Sequence, residues 1–401
     1  MRLLGLFALF GLAFGGGVLE LSGEIPGPLV LSTPGLEVEG KGAWVRGGKG
    51  HAVLLLAPGI RVRGLRVVGA GAGQDFFEPD AAFYLGGCAG CALEGVRAEG
   101  AFTAVRVEDS PGARVVGLEA RGPDSPAPGV LVYRSPNALI ARNRLSGYMD
   151  AVYVEYSPGT AIRENLLEGN GRYGFHVMFS WEVRVEANTS RNNAVGNAVM
   201  HGAANRVVGN RLSGQKSPVG YGLLVQDEKG TEVRGNTFQE NTLGLVLMDA
   251  KEVAVRENRF LENGTGLRIT RERGGNSALV EGNAFRGNLY DLLVDDPEAK
   301  ARVVGNAYDR ASGLPSLTFP PPALPFSSPA SLNFPSSRLP RGCCSGKGWK
   351  PRCRGLGSRA LPTPGPRSWP NRGLLPLPSS SSPFWEVACG SGGGAEQAGA
   401  A

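Results

Sequence analysis

Short stretches of alternating apolar and polar residues recur along most of the chain. Their first apolar residues are spaced by about 22 to 25 positions, and the residue two places further on is apolar as well. The first residues of these stretches are Phe83, Val105, Val130, Val152, Phe175, Ala198, Leu223, Leu245, Leu267 and Leu292. Because alternation with a period of two is typical of β-strands, both positions of each repeat are predicted to face a common core.

A second apolar position in each repeat precedes an asparagine by three residues. These asparagines are Asn143, Asn165, Asn188, Asn210, Asn236, Asn258, Asn283 and Asn306. Asparagine tolerates left-handed backbone geometry, and its amide can bond both to turn backbone and to the asparagine of the next repeat. A third apolar position follows two residues later, as at Leu145 and Phe238. Each repeat is therefore predicted to contain three short strands and three corners, with a ladder of asparagines at one corner.

These periods together predict an all-β fold, a right-handed parallel β-helix over residues 16–311 with about 22 to 25 residues per coil. Residues 19–45 are expected to form the opening coils. A helical fold is disfavoured because no long stretch shows a period of 3.6 residues, and because glycine, with 61 residues in the chain, recurs too often.

Residues 1–15 have the features of a signal peptide. Met1-Arg2 is followed by an apolar run that ends in small residues around Ala13-Phe14-Gly15. The run is short for a membrane span, so export to the periplasm as a soluble protein is expected. An uncleaved membrane anchor is the alternative.

The repeat stops after Asp309, and residues 312–401 are rich in Pro, Ser, Gly and Arg. The formal net charge of +6 comes entirely from this tail, because acidic and basic residues nearly balance before it, so the charge does not predict a nucleic-acid partner. Four of the six cysteines lie here, in spacings that match no zinc motif. The tail is expected to be disordered, or to be an out-of-frame translation product, and we assign it no function.

Outward-facing positions are where a packed β-helix can carry chemistry, because its interior is filled by side chains. Aligning the repeats places Met178, His201 and Met248 in one outward column and His176 on the same side of the strand that contains Met178. Met200 is predicted to face the core. Imidazole and thioether donors without carboxylates suit a soft ion, and Cu(I) fits them better than Zn(II) or Ca(II).

This copper site, formed by His176, Met178, His201 and Met248, has a simpler alternative. The same residues, with Tyr133 and Tyr153, could form an exposed apolar patch of the kind found at protein interfaces. Cys88 and Cys91 align with small corner residues of later repeats and are interpreted as structural, although a disulfide or a metal site is also open.

Outward acidic residues are the other candidates for chemistry. They include Glu108, Glu155, Asp227, Asp249, Asp295 and Asp296. Many β-helices are polysaccharide lyases, epimerases or glycosidases, which need a convergent acid/base set or calcium-binding carboxylates. No tight carboxylate pair is predicted here, so a carbohydrate-active enzyme is the second hypothesis and a purely structural surface protein the third.

Three segments resemble the NosD family of periplasmic β-helix proteins. They are residues 148–154 (YMDAVYV), 172–180 (RYGFHVMFS) and 195–200 (VGNAVM), and the likeness extends over residues 19–309. The resemblance implies a non-enzymatic role in supplying copper for the maturation of nitrous oxide reductase. It further implies partners, namely a membrane ABC transporter and a copper-chaperone lipoprotein. Family members continue with an Asp/Gly-rich segment after an Asn-x-Tyr-Asp element, which is residues 306–309 (NAYD) in this chain, and that segment is absent here.

Overall fold

The computed structural model describes residues 17–71 and 76–309. The predicted signal peptide (1–15) and tail (312–401) lie outside the described residues. The described part consists of 38 short β-strands, without an α-helix.

In chain order the strands are β1 Val18–Leu21, β2 Glu24–Pro26, β3 Leu29–Leu31, β4 Glu37–Gly40, β5 Trp44–Arg46, β6 Val53–Leu55, β7 Arg61–Arg63, β8 Arg66–Ala70, β9 Ala81–Gly86, β10 Ala92–Glu94, β11 Arg97–Ala101, β12 Thr103–Glu108, β13 Arg114–Val116, β14 Glu119–Arg121, β15 Val130–Tyr133, β16 Leu139–Ala141, β17 Arg144–Ser146, β18 Asp150–Glu155, β19 Ala161–Arg163, β20 Leu166–Glu168, β21 Tyr173–Met178, β22 Arg184–Glu186, β23 Thr189–Arg191, β24 Gly196–Met200, β25 Arg206–Val208, β26 Arg211–Ser213, β27 Tyr221–Gln226, β28 Glu232–Arg234, β29 Thr237–Gln239, β30 Leu243–Met248, β31 Val253–Arg256, β32 Arg259–Leu261, β33 Thr265–Thr270, β34 Ser277–Glu281, β35 Ala284–Arg286, β36 Tyr290–Val294, β37 Lys300–Val304 and β38 Ala307–Tyr308.

Every third strand belongs to the same parallel sheet. The first sheet runs from β1 to β37 and the second from β2 to β38, with 13 strands each, and the third runs from β3 to β36 with 12 strands. One coil therefore contributes one strand to each sheet. The predicted parallel β-helix is confirmed, and its first strand is β1, Val18–Leu21.

Except on β24, the predicted inward positions form one continuous core. Val105, Val130 and Val152 are partners on successive strands of the third sheet, and all three are fully buried. In the second sheet, the rings of Phe238, Phe260 and Phe285 stack with centroids 4.9 and 4.7 Å apart. Like side chains therefore stack coil upon coil in the interior, and their burial stabilises the fold.

The asparagine ladder is also confirmed. Asn143 Nδ2 donates to Asn165 Oδ1 at 2.9 Å, and Asn165 Nδ2 donates to Asn188 Oδ1 at 2.9 Å. Each acceptor oxygen also receives the backbone N–H of the asparagine before it, as Asn165 does from Asn143. Polar groups that the corner buries are therefore satisfied from one coil to the next.

Cys88 and Cys91 form a disulfide, and both are fully buried at their corner. Of the alternatives left open by the sequence, the structure therefore has the disulfide. The two cysteines still occupy the small-residue positions of the corner, where the backbone N–H of Cys88 donates to Ser110 Oγ of the next coil at 2.9 Å.

The predicted register of β24 is wrong by one residue. On this strand Ala198, Val199 and Met200 pair with His176, Val177 and Met178. Val199 therefore faces the core, where it is fully buried, and Met200 faces outward beside Met178.

The shift arises at the start of β24, where one residue, Asn197, lies opposite the two residues Gly174 and Phe175. The Asn197 side chain compensates for the missing residue, because its Oδ1 accepts the Phe175 N–H at 3.1 Å and its Nδ2 donates to the Gly222 carbonyl at 2.8 Å. Gly196 is required next to it. Its φ is +136°, and a Cβ there would lie 1.7 Å from the Tyr221 carbonyl oxygen.

Candidate functional site

A column of methionines lies on the outer face of the third sheet. Met178 pairs with Met200, Met200 with Gln226, and Gln226 with Met248. Neighbouring strands of a sheet are about 4.8 Å apart, so the thioethers of Met178 and Met200 can reach a common atom. Met248 lies two strands beyond Met200. We call Met178, Met200 and Met248 the methionine column.

An apolar cluster flanks this column and is separate from the main core. Ala198, Leu224 and Val246 are buried on the outer face, and Met200 and Met248 pack against them. Tyr173, Tyr221 and Leu243 complete the cluster on its other side. The thioethers of Met200 and Met248 are therefore held in an apolar environment.

His176 lies on the same face, on the strand that contains Met178. Its Nδ1 is 3.0 Å from Asp150 Oδ2. Arg172 binds the same carboxylate with two hydrogen bonds, from Nε to Oδ1 at 2.8 Å and from Nη2 to Oδ2 at 2.6 Å. The rings of Tyr153 and Tyr173 contact the imidazole edge-on, with centroids 4.9 and 4.7 Å away.

Burial and the neighbouring charges determine the protonation states of His176 and Asp150. Burial penalises the imidazolium and lowers the pKa of His176, although the Asp150 carboxylate acts in the opposite direction. For Asp150, burial by itself would raise the pKa, but the charge and hydrogen bonds of Arg172 hold the pKa below its usual value. At neutral pH the cluster is therefore a neutral imidazole beside an ionised carboxylate and a guanidinium.

The second ring nitrogen of His176 is without a partner among the described residues. Nε2 is buried and makes no hydrogen bond, and the whole residue is 6 % exposed. Nε2 is therefore available to an ordered water or to a ligand. A neutral imidazole nitrogen beside thioethers is a donor set for a soft metal ion.

His201 was predicted to lie in the column of Met178, and this prediction is wrong. It lies one residue beyond Met200, at the corner that follows β24. Its φ is 55°, so the chain has already turned out of the strand. The imidazole stacks on Phe179 with centroids 5.1 Å apart, and its Nδ1 is 3.3 Å from Asp227 Oδ2. Burial lowers the pKa of His201, against the raising effect of Asp227.

Of the four predicted ligands, the structure thus places His176, Met178 and Met248 on one face and His201 at its edge. Met200 was missed because the one-residue shift at Asn197 could not be seen in the sequence. Asp150 and Arg172 were missed as partners of His176, although they are 22 residues apart, which is the length of one coil. A spacing of one coil was the sequence signal that could have identified Asp150 and Arg172 as neighbours.

Three of the acidic residues considered for carbohydrate chemistry, Glu108, Asp249 and Asp295, are bound by arginine or backbone donors. Arg106 and Arg134 bind Glu108, Arg268 binds Asp295, and the backbone N–H groups of residues 272, 273 and 274 bind Asp249. Among residues 17–71 and 76–309, no three His, Cys, Asp or Glu side chains converge as a metal site.

Within the same residues, no helix is long and apolar enough to cross a membrane.

Comparison with solved structures finds matches of low sequence identity. A variant of the periplasmic alginate epimerase AlgG is 14 % identical, with a TM-score of 0.52 over 70 % of this chain and 77 % of that one. The surface adhesin PfbA of Streptococcus pneumoniae is 10 % identical, with a TM-score of 0.47 over 73 % of this chain and 82 % of that one. At such low identity the likeness to AlgG shows the fold alone. No match is found among curated proteins.

Comparison with family models gives a more specific result. Residues 108–308, half of the chain, match the model described as "Periplasmic copper-binding protein (NosD)". The match contains the methionine column, His176, Asp150 and Arg172. The chain belongs to the NosD family of periplasmic copper-binding proteins.

Proposed function

We propose that this protein receives Cu(I) on the outer face of its third sheet and passes it on during the maturation of nitrous oxide reductase. The observation that carries the proposal is the pairing of Met178 with Met200 beside His176, whose Nε2 has no partner among the described residues. Membership of a copper-binding periplasmic family agrees with this function.

The donors suit transient binding of a soft ion. His176 and Met178 are two residues apart on one strand, roughly 6.5 to 7 Å along it, and Met200 is on the next strand. Thioethers and a neutral imidazole favour Cu(I) over harder ions, and they carry no charge that would trap it. Met248, two strands beyond Met200, is proposed as an auxiliary donor. His201 stays a candidate at the edge of the site, because it directly follows Met200.

The partners are part of the proposal. Copper is taken from a copper-chaperone lipoprotein, the protein works with a membrane ABC transporter, and the receiver is nitrous oxide reductase. These partners follow from the resemblance to the family, and a pull-down of membrane proteins with the tagged full chain tests them.

Competition with a chromogenic Cu(I) chelator, under reducing conditions without oxygen, tests the site on the full chain. M178L and M200L should each weaken Cu(I) binding about tenfold or more, a loss of roughly 1.4 kcal/mol or more of binding free energy. M149L is a matched control, because Met149 lies outside the methionine column. If M178L and M200L bind Cu(I) with the affinity of the natural protein, the proposed copper site is wrong.

The second candidate is a carbohydrate-active enzyme of the lyase or epimerase type. The observation that favours it is the Asp150–His176 hydrogen bond, since a carboxylate that orients a histidine is a common acid/base arrangement. The burial of His176 beneath Tyr153 and Tyr173 argues against it, because a polysaccharide would have to reach Nε2. Incubation with acidic polysaccharides, followed by detection of unsaturated or epimerised uronates, distinguishes the two functions.

A further inference from the structure

We infer that Asp150 and Arg172 are positioning residues that hold His176 in the tautomer with its proton on Nδ1, so that the lone pair of Nε2 is presented to the ion. This inference rests on the proposed function for the identity of the ion. It adds to that function two residues that do not touch copper themselves.

The hydrogen bonds determine the tautomer. Nδ1 of His176 has two polar neighbours, Asp150 Oδ2 at 3.0 Å and Arg172 Nη2 at 3.5 Å. A carboxylate accepts and a guanidinium donates, so a proton on Nδ1 fits the nearer neighbour and a lone pair there would fit the farther one. The shorter contact, to Asp150, places the proton on Nδ1. Nε2 must then be unprotonated in the neutral ring.

The carboxylate is itself fixed in orientation. Arg172 binds both of its oxygens, and the backbone N–H of Tyr173 donates to Oδ1 at 3.2 Å. Asp150 is fully buried, so these donors replace the water that an ionised carboxylate would otherwise keep. A fork of two parallel hydrogen bonds gives the carboxylate one geometry, which lysine could not impose.

The imidazole cannot easily turn over. Tyr153 and Tyr173 lie against it, and the Tyr173 hydroxyl is 2.8 Å from the Tyr221 hydroxyl, which holds the Tyr173 ring in place. The Arg172 guanidinium lies 5.0 Å from the centre of the Tyr173 ring and 4.9 Å from that of Phe76. A flip of His176 would exchange its two nitrogens and lose the bond to Asp150.

Partners of this kind fix the tautomer and the orientation of metal-binding histidines, and their loss typically weakens metal binding by about 10- to 100-fold. D150N and R172K should therefore reduce the Cu(I) affinity of the full chain within that range. D109N is a matched control, because Asp109 forms a similar two-bonded pair with Arg134 outside the site. It should leave Cu(I) affinity unchanged.

The tautomer is measured independently of copper by ¹⁵N NMR of the metal-free full chain labelled at histidine. The chain has 3 histidines, so H51Q and H201Q assign the signal of His176 by elimination. The natural protein should show a protonated Nδ1 and an unprotonated Nε2, and D150N should show a mixture of the two tautomers. R172K provides a second variant if D150N does not fold.

The outcomes separate this inference from the proposed function. A His176 protonated on Nε2 overturns the inference, even if the protein binds Cu(I). Unchanged Cu(I) affinity in a folded D150N or R172K also overturns it. A protonated Nδ1 in a natural protein that binds no Cu(I) overturns the copper function, and with it the role assigned to Asp150 and Arg172.

Discussion

Met178 and Met200 are paired at the same outward position of adjacent strands. The hydrophobic repeat of the sequence instead aligns Met178 with His201, one residue further along the chain. This pairing follows from a single local event, the replacement of two residues by Asn197 at the start of β24. The two thioethers that carry the proposed copper site are therefore neighbours only because the strand begins differently from the others.

Cysteine cross-linking tests this register directly. Neighbouring strands place the α-carbons about 4.8 Å apart, within the range of about 4.4 to 6.8 Å that a disulfide needs. The double variant M178C/M200C should therefore form a disulfide under mild oxidation, whereas M178C/H201C should not. Peptide mass spectrometry identifies the linked pair. The opposite result would restore the register predicted from the repeat and remove the methionine column.

Removal of one step of the asparagine ladder should destabilise the coil stack. In N188A, the backbone N–H and the side-chain amide of Asn165 lose their acceptor, Asn188 Oδ1. A buried donor left without a partner costs about 1 to 3 kcal/mol, so the free energy of unfolding should fall by roughly 2 to 4 kcal/mol. Denaturant titration measures the change.

Q239A is the control for this experiment, because Gln239 also has an amide but makes its hydrogen bonds on the exposed surface. Its free energy of unfolding should change by less than about 0.5 kcal/mol. Equal effects of N188A and Q239A would show that the ladder does not stabilise the fold.

Glu228 should make stability depend on pH. It is 2 % exposed, and burial raises its pKa from 4.5 to about 7, against the lowering effect of hydrogen bonds from Thr231 and Asn205. Because the folded state favours the protonated Glu228 carboxyl, this group stabilises the fold fully below its pKa in the unfolded chain, 4.5. The free energy of unfolding then falls as the pH rises from 4.5 to about 7, and Glu228 changes it no further above pH 7.

The expected loss over this range is on the order of 3 kcal/mol. E228Q should remove this pH dependence and unfold at a higher temperature than the natural protein at pH 8. E182Q, at an exposed corner, should keep the pH profile of the natural protein. Thermal unfolding at pH 5 and pH 8 compares the three proteins, and an unchanged profile in E228Q would contradict the assignment.

The family segments show how much chemistry a sequence can indicate without its geometry. Residues 148–154 and 172–180 carried the resemblance, and they contain Asp150, Arg172 and His176. The sequence pointed to His176 as a donor, but not to the hydrogen bonds that orient it. Those bonds depend on which residues of neighbouring coils come into contact, and the side-chain identities alone left several pairings open.

The sequence by itself determined the coil, the three sheets, the inward columns and the asparagine corners of this protein. It could do so because apolar alternation and recurring turn residues act locally and repeat in every coil. Only the tertiary structure decided that Met200 faces outward, that His201 lies at a corner, and that Asp150 and Arg172 bind at His176. The physical reason is that register is set by hydrogen bonding between strands. One residue fewer at Asn197 reverses the facing of every residue that follows on the strand.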